Sequence, residues 1–99
     1  MSGKLERDFQ RELIKDLEKR FPGSIVTKLD SSHIQGIPDL LILYKDRWAT
    51  LECKRNKKAS RQPNPKLYVN KMNDMSFSRF IYPENREEGL GELQQALKS

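Results

Sequence analysis

At 99 residues and 11.6 kDa the chain fits one domain and is too short for two independent hydrophobic cores. A hydrophobic fraction of 35% against 33% charged residues and a mean hydropathy of −0.84 leave no apolar run near the roughly 20 residues of a membrane span, and Met1 to Asp8 lacks the apolar core of a signal peptide. The lone Cys53 excludes an internal disulfide, and with a single histidine there is no Cys/His set for zinc, so an intracellular, reducing setting is expected.

Leu5, Phe9, Leu13 and Leu17 stand four apart with Ile14 alongside. That spacing predicts a helix over residues 4–20, ended by Pro22-Gly23. Ser24 to Leu29 is short and β-branched between turn signals, and is expected to be a strand. Asp39 to Tyr44 and Trp48 to Lys54 flank Lys45-Asp46 and predict a β-hairpin, and the apolar run over 40–43 suggests a strand covered on both faces. Asn56 to Pro65 is polar and basic with two prolines, which predicts a loop. Leu67, Tyr68, Met72 and Met75 fall at helical offsets, Arg79 to Tyr82 is expected to be a strand, and Leu90, Leu93 and Leu97 predict a helix over about Arg86 to Lys98. The order α-β-β-β-α-β-α describes an α/β domain over residues 1–99, a mixed central sheet flanked by helices, with a crossover between its last two strands.

A two-residue turn at Lys45-Asp46 sets the hairpin register, and pairing outward from it brings Asp39 opposite Glu52. Opposed residues share a face with Cβ atoms about 4.5–5.5 Å apart, so two carboxylates sit side by side, and period two adds Lys54 to that face. Like charges so placed repel unless something positive lies between them. A hard divalent cation such as Mg²⁺ suits this pattern, because it takes carboxylates, water and phosphate oxygens. Lys54 would hold or deprotonate an attacking water, or stabilise charge developing on phosphorus. Asp, Glu and Lys together describe metal-assisted phosphodiester hydrolysis, with Glu6 on the first helix a further candidate carboxylate. Gln10 lies one turn later on that helix face, with a plain surface role as its alternative.

Gly36-Ile37-Pro38-Asp39 followed by Glu52-Cys53-Lys54 resembles the Pro-Asp…(Asp/Glu)-X-Lys, or PD-(D/E)XK, nuclease superfamily, and within it the virus-type replication-repair (VRR-NUC) modules. Glu6-Arg7-Asp8-Phe9-Gln10 resembles that family's first-helix Glu-x-x-apolar-Gln, and Tyr82-Pro83-Glu84-Asn85 is similar to its phage members. The resemblance implies a restriction-endonuclease-like core and a Mg²⁺- or Mn²⁺-dependent endonuclease. It implies Asp39, Glu52 and the Cys53 backbone carbonyl as metal ligands, Lys54 as the catalytic lysine, and Glu6 as a further catalytic and metal-binding candidate. Similarity to stand-alone members implies a homodimer acting on branched DNA in the manner of Holliday-junction resolvases, in the cytoplasm of a bacterial or phage-infected cell. One departure is visible: the family's Gln near the start of the following helix falls at Asn64-Pro65-Lys66 here, with Gln62 a few positions early.

The net charge is +5, and Lys54, Arg55, Lys57, Lys58, Arg61 and Lys66 form a run without an acid. A charge run is often a solvated loop. Beside a phosphate-cutting site it is expected to clamp the DNA backbone. His33 and Gln35, in the loop before Pro38, are further candidates for DNA contact, with a structural role or mere exposure as the alternative for His33. Gly36 is expected to supply a backbone conformation closed to other residues, and Cys53 to point into the core. Trp48 and Tyr44 suit packing or a subunit contact. Recognition of DNA shape through the backbone suits so short a chain better than base readout. The alternatives are a non-catalytic nucleic-acid-binding module of the same fold and an enzyme acting on RNA or free DNA ends.

Overall fold

A computed structural model describes residues 6–58 and 63–98. Leu5, Arg61 and Gln62 lie outside the described residues. The elements run α1 (Glu6–Arg20), β1 (Ile25–Lys28), β2 (Leu40–Tyr44), β3 (Arg47–Cys53), α2 (Pro63–Met75), β4 (Ser78–Ile81), a 3-10 turn (Pro83–Asn85) and α3 (Arg86–Lys98). Among the described residues the sheet has the order β1-β2-β3-β4. Its first three strands are antiparallel, and β4 joins β3 in parallel after the α2 crossover.

The expected helical stripe becomes the core. Phe9, Leu13 and Leu17 of α1 and Leu90, Leu93 and Leu97 of α3 are buried against Leu40, Ile42, Ala49 and Leu51 of the sheet. Each large side chain removed from water contributes about 1.5–3 kcal/mol. Phe21, past the end of α1, stacks edge-on against Tyr44 with ring centroids 5.3 Å apart, so Tyr44 is a packing residue. Asp16 joins the two helices, accepting from Arg20 at 2.9 Å and Arg86 at 2.8 Å. On the opposite sheet face α2 covers β3 and β4. There the buried Thr50 hydroxyl meets the Ser78 hydroxyl at 2.8 Å and Met72 Sδ at 3.5 Å. The result is three layers, helices on both faces of a mixed α/β sheet.

The hairpin register is the expected one, Tyr44 opposite Arg47 through Leu40 opposite Leu51. Lys45 takes a left-handed φ of 57° to close the two-residue turn. Two expectations are corrected. Residues 63–65 are helix rather than loop, because proline lacks only an amide that the first helical turn leaves unpaired anyway. The buried face of α2 centres on Val69, whereas Leu67 and Met75 are 59% and 64% exposed, since α2 packs on only half the sheet. No helix of the described residues is long and apolar enough to cross a membrane.

Candidate active site

Pro38 is buried and Gly36 has φ 93°, a conformation that strains any residue with a Cβ. This bend delivers Asp39 to the start of β2, where its carbonyl accepts from Leu29 N at 2.8 Å. Its side chain reaches across the hairpin, and Asp39 Oδ2 accepts from the Cys53 amide at 2.8 Å. N–H and C=O of one extended residue point the same way, so the Cys53 carbonyl faces the Asp39 side too. The Cys53 side chain goes the other way into the core, 1% exposed, and burial pushes its thiol well above the usual range.

Glu52 stands beside Asp39 on the opposite sheet face, half-buried, and makes a hydrogen-bonding contact with it. Glu52 Oε1 is buried without a hydrogen-bond partner among the described residues. Burial, and then the charge of Asp39, push the Glu52 carboxyl up to about 8. Burial also raises Asp39, against the pull of the Cys53 amide. That amide favours the charged form of Asp39, so a proton shared by the pair rests on Glu52. Glu6, at the exposed first turn of α1, is raised by burial and by Asp39, with Lys54 and Arg55 opposing.

Lys54 follows β3 with only 7% of its surface exposed. Its amide donates to Ile81 O at 2.8 Å, and its ammonium lies 5.4 Å from the centre of the Phe80 ring. Phe80 is the registered partner of Glu52 across the parallel ladder, so acid, lysine and aromatic occupy one sheet face. Sequence reading missed Phe80 because its signal exists only once the β3–β4 register is known.

Glu6, Asp39, Glu52, Lys54 and Arg55 thus stand within electrostatic reach of one another. Gln10 is half-buried on α1. His33 and Gln35 are exposed between β1 and β2 and make no hydrogen bond or ion pair with the acids among the described residues. Arg55, Lys57 and Lys58 are exposed just past the acids. Their segment is tied down where Lys57 N donates to Glu84 at 3.2 Å and Lys58 N to Asn56 at 2.9 Å. Lys66 is exposed on the first part of α2. Asn85 braces the turn before α3, accepting from Tyr82 N at 2.8 Å and donating to Phe80 O at 3.2 Å.

Two carboxylates raised by burial, an unpartnered buried oxygen and an adjacent carbonyl make a hard-oxygen donor set that fits a divalent cation completed by water. Among the described residues no three His, Cys, Asp or Glu side chains group closely enough to hold a metal by themselves, which leaves Glu6 outside the immediate set. No family model matches the chain, and no curated protein does. A solved structure described as a "VRR_NUC domain protein" superposes with a TM-score of 0.71 at 13% identity, covering 99% of this chain and 92% of that one. The chain therefore has the fold of that protein.

Proposed function

We propose that residues 1–99 form one VRR-NUC-type nuclease module, a divalent-metal-dependent, structure-specific DNA endonuclease. The observation that carries this reading is the Asp39–Glu52 pair facing Lys54, with Glu52 Oε1 buried and unpartnered. Asp39, Glu52 and the Cys53 carbonyl would hold Mg²⁺ or Mn²⁺, which when bound supplies positive charge to a phosphate oxygen and favours ionisation of a water. Asp39 is fixed for that role by the Cys53 amide. Glu52 must give up the proton it holds at neutral pH. Lys54 Nζ, held over Phe80, donates to the attacking water or to a non-bridging phosphate oxygen and steadies the charge that builds there. Glu6 orients water at the edge of the set.

The exposed cations Arg55, Lys57, Lys58 and Lys66 support a DNA backbone clamp. His33 and Gln35, exposed in the loop that leads into Asp39, would be available to a DNA strand. Cleavage of branched DNA by a homodimer within the cell, in the manner of a junction resolvase, rests on the motif resemblance alone.

The test is incubation of purified protein with labelled four-way junction, flap and linear duplex in Mg²⁺ or Mn²⁺, with Glu52→Ala and Lys54→Ala as controls. Paired symmetric nicks in the junction by the wild type alone are expected. Salt-sensitive binding with no cleavage under either ion would replace this reading with a non-catalytic binding module of the same fold. Cleavage confined to RNA or to free ends would overturn the branched-DNA substrate.

A further inference from the structure

A second basic surface lies apart from the exposed cations Arg55, Lys57, Lys58 and Lys66. Arg7, Arg11 and Lys15 follow one another at four-residue steps along α1, on one flank of the helix. Together with Lys28 of β1, Ile14 and Glu18 they line an open groove of about 340 Å³. Four cations and one carboxylate therefore face one concavity. Arg7, Arg11, Lys15 and Lys28 are all exposed, and among the described residues Arg11 makes a long ion pair to Asp8, outside the groove lining, at 3.8 Å. The neighbouring flank of α1 is acidic and turned elsewhere, with Asp16 engaged by Arg20 and Arg86.

The groove adjoins the candidate catalytic residues at one end. Arg7 follows Glu6 directly, and Lys28 pairs with Leu40, the residue after Asp39. Its charge is close enough to act on Asp39. On the other side of the acids stand Lys54 and Arg55, whose charges act on Glu6. The acids consequently sit between two basic surfaces. At 1.5 Å rise per residue, Arg7 to Lys15 spans about 12 Å. That length covers about three to four phosphates of one strand at 3.4 Å per step.

We propose that the Arg7–Arg11–Lys15–Lys28 groove is a second phosphodiester-backbone site, which holds the nucleic-acid arm on the far side of the scissile bond from Lys54 and Arg55. The inference rests on the proposed nuclease function and adds the path of the second arm. It makes no use of base identity, because each contact is to phosphate.

The test is binding in EDTA, where nothing is cut, of duplexes with arms of about 3 or about 12 base pairs flanking the branch point, the longer exceeding the span of the groove at 3.4 Å per step. Wild type is compared with Arg7→Ala/Lys15→Ala and with Lys71→Ala/Lys98→Ala, which removes the same charge elsewhere on the surface. Melting temperatures of all three establish that each is folded. The long arm is expected to tighten wild-type binding, and the Arg7/Lys15 variant to lose that gain. The slope of log K against log salt is expected to shallow by about two, at about 0.9 per phosphate contact, while the Lys71/Lys98 variant keeps the wild-type slope. Unchanged slope and arm-length gain in the Arg7/Lys15 variant, with wild type still binding, would overturn the second site and leave the nuclease function standing. Wild type that binds no DNA at all would remove the proposed function itself. Loss of binding to anionic phospholipid vesicles with DNA binding intact would overturn the nucleic-acid assignment in favour of a membrane surface.

Discussion

Glu52→Gln is expected to make the metal-free protein more stable at alkaline pH while abolishing cleavage. Burial and Asp39 hold the Glu52 carboxyl near 8 against an ordinary value of 4.5, so the folded chain binds this proton more tightly than the unfolded chain. The contribution is then complete below about pH 4.5 and lost as pH rises through about 8. At 1.36 kcal/mol for each tenfold change in proton affinity, the gap sets a ceiling of about 5 kcal/mol. Because the carboxyl is only half-buried, screening by solvent leaves about 2 kcal/mol. Glutamine keeps the shape and cannot ionise, so at pH 9 without metal the variant is expected to melt about 10 °C above wild type. Near pH 4.5 the two converge. The assay is thermal unfolding by circular dichroism from pH 4.5 to 9 in EDTA, repeated with Mg²⁺ at pH 8. Mg²⁺ is expected to raise the wild-type melting temperature, by binding the ionised folded pair, and to leave the variant unmoved. Parallel melting curves for the two proteins across the whole range would refute the strained carboxyl pair, and with it the electrostatic case for a cation.

Gly36→Ala places a Cβ at φ 93° and is expected to cost about 1–2 kcal/mol, read by urea denaturation, with a fall in cleavage because Pro38 and Asp39 follow directly. Lys45→Gly removes left-handed strain at φ 57° and is expected to raise the urea midpoint by the equivalent of about 0.5 kcal/mol, the relief being partly offset by glycine's greater unfolded-state freedom. Burial raises the Asp16 carboxyl, but the Arg86 and Arg20 hydrogen bonds outweigh it and leave it below its ordinary value. Its stabilising contribution is thus present at neutral pH and lost as pH falls into the acid range. Asp16→Ala is expected to cost about 1–2 kcal/mol at pH 7 and to flatten that acid-side loss, as read by denaturation at pH 7 and pH 3.

The elements that the sequence made legible are those whose periodicity agrees with what covers them. Phe9, Leu13 and Leu17 on α1 and Leu90, Leu93 and Leu97 on α3 each form one stripe that meets the same sheet face. The meeting of Asp39 and Glu52 was legible for a different reason. A two-residue turn leaves one register, and one register determines every pair above it. Where partners were not fixed by such a rule, the pattern misled. Leu67 and Met75 have the offsets of buried residues, yet α2 covers only β3 and β4, so the face they share looks outward. Pro63 and Pro65 signalled a loop because proline interrupts a helix interior, whereas here they occupy its first turn.

The basic flank of α1 shows how a surface stays hidden in a linear reading. Over Glu6 to Arg20 there are five bases and five acids, so the segment is neutral and no charge run marks it. The signs are nevertheless sorted by helical period. Arg7, Arg11, Lys15 and Lys19 repeat every four residues, and Asp8, Glu12 and Asp16 repeat every four one position later. Each step of four keeps a residue on nearly the same flank, while a step of one turns it by about 100°. The helix thereby separates into a basic and an acidic edge. Buried Phe9, Leu13 and Leu17 fix the rotation of α1 about its axis, with Asp16 on the acidic edge bound to Arg86 of α3, and the basic edge turns toward β1, where Lys28 completes the groove. The apolar stripe that docks the helix thus also aims its cations. Asp16→Ala, which leaves that stripe in place, is therefore expected to lower stability while keeping the salt dependence of DNA binding, since Asp16 lies on the far flank from the groove.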